Sequence, residues 1–298
     1  MSEVVAIFGP TGVGKTAVAV ELAELLRARG EDPVAISADA LQVYRGLETL
    51  TGVASEEERG RLEHRLVSFV GVDAAFSAGE FMPLAHAEID AALGAGRRPI
   101  VLGGTGLYLR AALTELSLAP QPPPELRARW QREVEARGPA ALHAELSRRA
   151  PRAAATIEPT DRTRIVRSLE LLEMGAEPPR TEGSELWTTD TRRPTRLFGL
   201  VREREDLYAR IDARVDAMVA AGAEEEVRRA AAAGASRTAR KALGFEELLS
   251  GDVEGMKRRT RNYAKRQLTW MRKLPDVTVV DLTGRPAAGA AAEIAGSL

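Results

Sequence analysis

The chain has 298 residues, 44% hydrophobic and 29% charged, a balance that suits a packed core in one large or two modest domains. Its net charge of −1 gives no global pull toward nucleic acid or membrane, so polyanion binding requires a local patch. Without cysteine there are no disulfides, no Cys-ligated zinc and no thiol nucleophile; three histidines (His64, His86, His143) leave little material for a His-built metal site.

Val4-Val5-Ala6-Ile7-Phe8 is an apolar, β-branched run of strand length. A strand starting this early leaves no room for a signal peptide, and no apolar run approaches the ~20 residues of a membrane span. The expectation is a cytoplasmic protein with no membrane partner. The run leads into Gly9-Pro10-Thr11-Gly12-Val13-Gly14-Lys15-Thr16, which fits G-x-x-x-x-G-K-[ST] without a gap. Residues 17–29 then place Ala19, Leu22, Ala23 and Leu26 on one helical face, with Gly30 as the stop. Strand, glycine-rich turn and helix predict a phosphate-binding loop. Its N–H groups and helix dipole favour an anion, Lys15 adds positive charge, and Thr16 offers a hydroxyl to a magnesium ion. The loop itself does not separate a nucleotide from another diphosphate. A second strand over 34–38 ends on Asp39 and completes a right-handed βαβ unit. The loop and Asp39 are therefore expected at one strand-end crevice.

Residues 40–75 carry mixed signals, and the charged run at 55–65 predicts a solvated helix. Residues 77–95 repeat Phe81, Leu84, Ala85, Ile89 and Leu93 at helical spacing and stop at Gly96. Pro99-Ile100-Val101-Leu102 predicts a buried strand. The Gly103-Gly104-Thr105-Gly106 that follows is either a turn needing small residues or a second ligand-facing turn. Residues 119–124 read as a linker, 125–174 as an all-helical insertion, and 176–195 as a loop with Pro178, Pro179, Gly183 and Pro194. A strand returns at 195–200, helices follow at 204–221, 224–233, 241–249 and 253–274, and a last strand at 277–280 closes the sheet. The expected class is α/β: a P-loop NTPase-like parallel sheet flanked by helices over 1–115 and 195–298, with an all-helical insertion domain at 116–194.

Between Met256 and Lys273 stand Lys257, Arg258, Arg259, Arg261, Lys265, Arg266, Arg272 and Lys273, with no acidic residue among them. In a nearly neutral chain this stretch predicts a surface for nucleic acid or another multiply charged phosphate. No Asp-x-x-Gly switch follows the second strand and no Asn-Lys-x-Asp motif occurs, which argues against a GTPase. A small-molecule kinase with an Arg-rich helical lid stays open.

The loop, Asp39-Ala40-Leu41-Gln42-Val43-Tyr44-Arg45-Gly46 and Gly103-Gly104-Thr105-Gly106-Leu107-Tyr108 together resemble the tRNA dimethylallyltransferase family in its bacterial form. The likeness continues through Arg164-Ile165-Val166-Arg167-Ser168-Leu169-Glu170, Arg204-Glu205-Asp206-Leu207-Tyr208-Ala209-Arg210-Ile211, Ala242-Leu243-Gly244-Phe245 and Tyr263-Ala264-Lys265-Arg266-Gln267-Leu268-Thr269-Trp270. It runs in order over nearly the whole chain. The resemblance implies transfer of the dimethylallyl group of dimethylallyl diphosphate to N6 of the adenosine 3′-adjacent to the anticodon, by a monomer with Mg²⁺ as cofactor. It implies Asp39 as general base and Thr105 at the reacting centre. The diphosphate would be held by Gly9, Pro10, Thr11, Gly12, Val13, Gly14, Lys15 and Thr16 with Arg210 and Arg214, and the metal by Thr16. The tRNA anticodon stem-loop would be held by Asp39, Ala40, Leu41, Gln42, Arg127, Thr163, Arg164, Ile165, Val166, Arg167, Arg240, Lys241, Lys265 and Arg266. Gln42 would meet an adenine edge through its amide. Prenylation of free adenine nucleotide is the neighbouring alternative. The chain departs from the family where Asp-Ser becomes Asp39-Ala40, where Gly-Thr-Ala-Lys-Pro becomes Glu48-Thr49-Leu50-Thr51-Gly52, where a paired histidine becomes His64-Arg65, and where Gly-Tyr becomes Gly244-Phe245.

Overall fold

A computed structural model of the chain describes residues 3–178 and 185–298. Contacts divide it into two compact units, Met1–Glu115 with Thr189–Leu298, and Leu116–Thr188. The first unit begins β1 (Val4–Phe8), α1 (Lys15–Ala28), β2 (Pro33–Ala38), α2 (Glu48–Thr51), α3 (Glu56–Arg61), β3 (His64–Arg65), α4 (Ala78–Gly94), β4 (Arg98–Gly103) and α5 (Gly106–Leu113). The second unit holds α6 (Pro124–Arg137), α7 (Pro139–Arg149), α8 (Pro151–Ala154) and α9 (Arg162–Glu173). The first then resumes with β5 (Thr195–Val201), α10 (Arg204–Ala220), α11 (Ala223–Ala232), α12 (Phe245–Leu249), α13 (Val253–Met271), β6 (Val277–Asp281) and α14 (Ala287–Ser297).

Six parallel strands form one sheet in the order β3-β2-β4-β1-β5-β6. The central strands are apolar on both faces because helices cover both, as β1 and β2, buried throughout, illustrate. Register levels their ends: Phe8 lies opposite Gly103 and Gly199, and Ala38 opposite Gly103. The turns that leave β1, β2 and β4 therefore begin at the same height, which sets up the site.

Several elements differ from expectation. The charged run at 55–65 is helical only from Glu56 to Arg61, starting in a Ser55/Glu58 capping box. His64 and Arg65 then add an edge strand beside β2. The helix expected at 241–249 is a short 3₁₀ turn, Ala239–Lys241, followed by α12. Ala290, Ala291, Ile294 and Ala295 of α14 complete the core against α1.

The second unit has its own core of Trp130, Val134, Leu142, Leu146, Ile165, Val166 and Leu169. A proline in the first turn starts α6, α7 and α8, where a missing N–H costs nothing. Of the loop expected at 176–195, Pro179 and Gly183 lie outside the described residues.

Candidate active site

The turn after β1 has the shape its glycines foretell. Gly14 precedes α1 at φ 107°, a conformation that side chains disfavour, and α1 has no side-chain cap. Its first N–H groups are thus left for an anion. Thr11, Gly12, Gly14, Lys15 and Thr16 line a cavity of about 490 Å³. Gly9, Pro10 and Val13 sit behind it, with Val13 packed in the core. Lys15 Nζ donates to the carbonyls of Gly9 at 2.9 Å and Pro10 at 3.1 Å. Burial pushes its pKa down to about 8; Asp39 opposes the shift and Arg214 adds to it. Two arginines of α10 flank the loop. Arg210 Nε donates to Gly12 O at 3.1 Å, and Arg214 reaches from an open helix face into the cavity, donating to Gly52 O at 3.4 Å. Loss of solvent there holds the Arg214 pKa below its usual range, against the pull of Glu58 and Asp39.

Asp39 begins the turn after β2. One carboxylate oxygen accepts the N–H of Leu41 at 2.9 Å and, weakly, that of Gln42 at 3.4 Å. Its other oxygen has no hydrogen-bond partner among the described residues, and the side chain lines the cavity. Ala40 and Leu41 are half-buried beside it. Gln42 lines the same cavity. Its Oε1 accepts Ser37 Oγ–H at 2.9 Å and its Nε2 donates to Gly52 O at 3.1 Å, so the amide already ties β2 to the segment after α2. Residues 48–52, which depart from the family pattern and form α2 and its cap, are well held. Thr49 N–H and Leu50 N–H donate to the buried carboxylate of Glu226 at 3.0 and 2.7 Å, which caps α2 from α11. Leu50, Val53, Val215, Met218, Leu243 and Met256 supply an apolar part of the cavity wall.

The turn after β4 needs its small residues for close packing against α13. A side chain at Gly104 would meet Gln267 Nε2 at 2.5 Å, and one at Gly106 would meet the Trp270 ring at 1.9 Å. Gln267 was not anticipated as a site residue. Its Oε1 accepts Thr11 N–H at 2.9 Å and its Nε2 donates to Gly104 O at 2.7 Å, so one buried amide staples the phosphate-type loop to the second glycine turn. Tyr263, one turn earlier on α13, was also missed: its hydroxyl lies 3.2 Å from Thr105 Oγ1. Burial and nearby Asp39 push the Tyr263 pKa up to about 12.

The basic helix is less bare than its own sequence suggests. Lys257 pairs with Asp216 at 2.7 Å and Glu254, Arg259 with Glu247 at 2.7 Å, and Arg261 with Asp212 at 2.6 Å. Most of these acids come from α10 and α12, outside the window in which the charges were counted. Lys265 and Arg266 have no carboxylate partner among the described residues; they stack on the rings of Tyr208 and Tyr263. Arg240 pairs with Glu246 at 2.9 Å and lies over Phe245; Lys241 follows it in the same 3₁₀ turn.

In the second unit the run 163–167 splits. Ile165 and Val166 are 0% and 4% exposed, which corrects their expected place in an RNA surface: they are core residues of the unit. Thr163 and Arg164 are exposed. Arg167 is half-buried, donating to Ala119 O at 2.9 Å and Pro120 O at 2.6 Å. Arg127 pairs with buried Glu170 at 3.3 Å.

The site thus joins an anion-ready loop, a carboxylate with one free oxygen and an apolar wall in a single cavity. The family profile described as IPP transferase matches residues 42–274, and that described as isopentenyl transferase matches residues 2–70. The chain belongs to the IPP transferase family. A tRNA dimethylallyltransferase of Symbiobacterium thermophilum is 40% identical, covering 97% of this chain and 92% of its own. Among IPP transferases of known structure, the full-length tRNA isopentenylpyrophosphate transferase of Bacillus halodurans has a TM-score of 0.70 at 33% identity, covering 100% and 95% of the two chains. A eukaryotic dimethylallyltransferase solved acting on tRNA has a TM-score of 0.72 at 25% identity, covering 95% and 74%. The P-loop NTPase-like fold expected from the sequence is the fold of these IPP transferases.

Proposed function

We propose that this chain transfers the dimethylallyl group of dimethylallyl diphosphate to N6 of the adenosine 3′-adjacent to the anticodon in tRNA, giving N6-isopentenyladenosine. The observation that carries the reading is the levelled strand ends: they put the anion-ready loop, Asp39 and Thr105 at the same end of the sheet, with the loop and Asp39 in one cavity. The reaction needs a grip on a departing diphosphate, a base for an amine proton and apolar surface for a five-carbon group. N6 attacks C1 of the donor, the C1–O bond breaks with its electron pair leaving on the diphosphate, and the N6 proton passes to the free oxygen of Asp39. Lys15, Arg210 and Arg214 neutralise the charge that builds on the leaving group. The apolar wall from Leu50 to Met256 receives the dimethylallyl group. The adenine arrives flipped from the anticodon loop, where extrusion is cheap. Thr163 and Arg164 of the second unit, and Lys265 and Arg266 of the first, contact the RNA backbone. The protein works as a cytoplasmic monomer.

Magnesium fits the donor set. Thr16 and Asp39 offer hard oxygens in the cavity wall, and this ion characteristically binds through one or two protein oxygens, substrate phosphates and water. When bound from Thr16 it supplies further charge neutralisation on the diphosphate.

Lys15 gives the reading a pH signature. The free protein holds Lys15 at a pKa of about 8, and a bound diphosphate favours its charged form. The bound state therefore carries more protons than the free state above that pH, and donor affinity falls as pH rises through it. Pyrophosphate binding at about pH 9 should take up protons, read by calorimetry in buffers of different ionisation enthalpy. Lys15→Met should lose that uptake; equal uptake in both proteins would contradict the assignment.

The activity test supplies labelled dimethylallyl diphosphate with unmodified tRNA, with AMP, and with ATP plus a panel of kinase acceptors. Label in tRNA is expected. Label only in AMP, or phosphate transfer without prenylation, would replace the reading with a nucleotide prenyltransferase or a kinase.

A further inference from the structure

We propose that Tyr263 is a positioning residue for the transfer step: its hydroxyl donates to Thr105 Oγ1 and so turns the Thr105 proton toward the departing diphosphate. The proposal rests on the functional reading above and adds to it a role for a residue to which the sequence motifs gave none.

Thr105 occupies the N-cap of α5, where a threonine hydroxyl ordinarily accepts a helix N–H and stabilises the helix. Here it makes no cap bond. Among the described residues its hydroxyl has one hydrogen-bond partner, the Tyr263 hydroxyl at 3.2 Å, and Tyr263 has no other. The cap has thus been exchanged for a contact with α13. That helix is held close by the ring of Trp270 over Gly106 and by the Gln267 bond to Gly104, on the same turn as Thr105. The two hydroxyls are fixed in register rather than brushing past each other.

The direction of the bond follows from the groups. A phenol is the stronger acid and better donor, and an alkyl hydroxyl the better acceptor. Arg266 lies over the Tyr263 ring with its guanidinium 5.5 Å from the centroid, drawing electron density from the phenol. The displaced pKa of about 12 keeps Tyr263 protonated throughout the physiological range. Once Thr105 Oγ1 accepts from Tyr263, its own hydrogen is left to donate elsewhere. A chain of two hydroxyls polarises cooperatively, so the terminal donor is stronger than an isolated threonine. The leaving oxygen gains charge as the C1–O bond breaks, and a donor aimed there acts most in the transition state. Tyr263 and Thr105 both keep their protons: the diphosphate leaves with the bonding pair, and the N6 proton goes to Asp39.

A double-mutant cycle on the full chain tests this. Tyr263→Phe should lower kcat about tenfold, with the donor KM within about twofold of the unaltered protein. Thr105→Val should lose at least as much. The double variant should be no slower than Thr105→Val alone, because the phenol acts only through the threonine. Thr105→Ser, which keeps the hydroxyl, should retain most of kcat, and unchanged tRNA binding by each variant reports an intact fold. Losses that multiply in the double variant, or a Tyr263→Phe kcat within about twofold of the unaltered protein, would overturn the relay alone. Absence of prenyl transfer by the unaltered protein would overturn the functional reading and the relay with it.

Discussion

Asp39→Asn should lower the rate of prenyl transfer by about a hundredfold to ten-thousandfold while tRNA binding persists. The substitution is nearly isosteric. An Asn carbonyl oxygen can still accept Leu41 N–H, so the turn after β2 should keep its shape. What disappears is the unpartnered carboxylate oxygen in the cavity wall, and with it the acceptor for the N6 proton. An exocyclic adenine amine is a weak nucleophile, and its attack on an allylic carbon cannot be completed unless that proton leaves. The effect therefore belongs in kcat, with little change in the dissociation constant for tRNA measured by filter binding or fluorescence. Unchanged turnover in Asp39→Asn would remove Asp39 as the base.

Gln267→Leu should have the largest effect among residues outside the reacting centre. It leaves Thr11 N–H and Gly104 O without the amide that now joins them at 2.9 and 2.7 Å. Gln267 is 5% exposed, so water cannot readily replace it. An orphaned buried polar group costs about 1–3 kcal/mol, which should appear as a lowered denaturation midpoint. The functional loss should be larger than that destabilisation suggests. The amide sets the spacing between the loop that grips diphosphate and the turn that carries Thr105, and a misplacement of ~1 Å at such a site can cost about a hundredfold in kcat/KM. Steady-state kinetics on the folded variant should therefore show a tenfold to hundredfold fall, on the order of a misplaced catalytic turn. A variant that is destabilised but fully active would show that the staple serves folding only.

The difference between these two residues marks what the sequence displays. Asp39 was legible because it stands at the end of a predicted strand beside a gapless loop motif, and the parallel βαβ rule then places both at one crevice. The loop was legible for a similar reason: its glycines are required by local backbone geometry, and local geometry is written in consecutive residues. Gln267 and Tyr263 act across separations of 256 and 158 residues, and no local pattern announces such a contact. Gln42 shows the same limit: it lines the cavity, but its amide also binds Ser37 and Gly52, contacts that no motif announces.

Charge was misread in the same way. Within residues 256–273 alone, eight like charges look like an unpartnered face, whereas Asp212, Asp216 and Glu247 come from other helices to meet Arg261, Lys257 and Arg259. The ring-stacked pair Lys265 and Arg266 has no such partner among the described residues and is the stronger candidate for phosphate contact. Burial sorts the second unit likewise: Arg164 is exposed, but the carbonyls of Ala119 and Pro120 already engage Arg167. The edge strand β3 escaped notice because two residues are too few to show an alternating pattern, and α14 because its alanines carry little periodic contrast.

The most direct measurement is nucleoside analysis of tRNA treated with this protein and dimethylallyl diphosphate. Unmodified tRNA bearing adenosine 3′ to its anticodon is incubated, digested and examined by mass spectrometry. N6-isopentenyladenosine is expected at that single position, dependent on both the donor and Asp39. Unmodified adenosine there, with the prenyl group found instead on free nucleotide or nowhere, would contradict it.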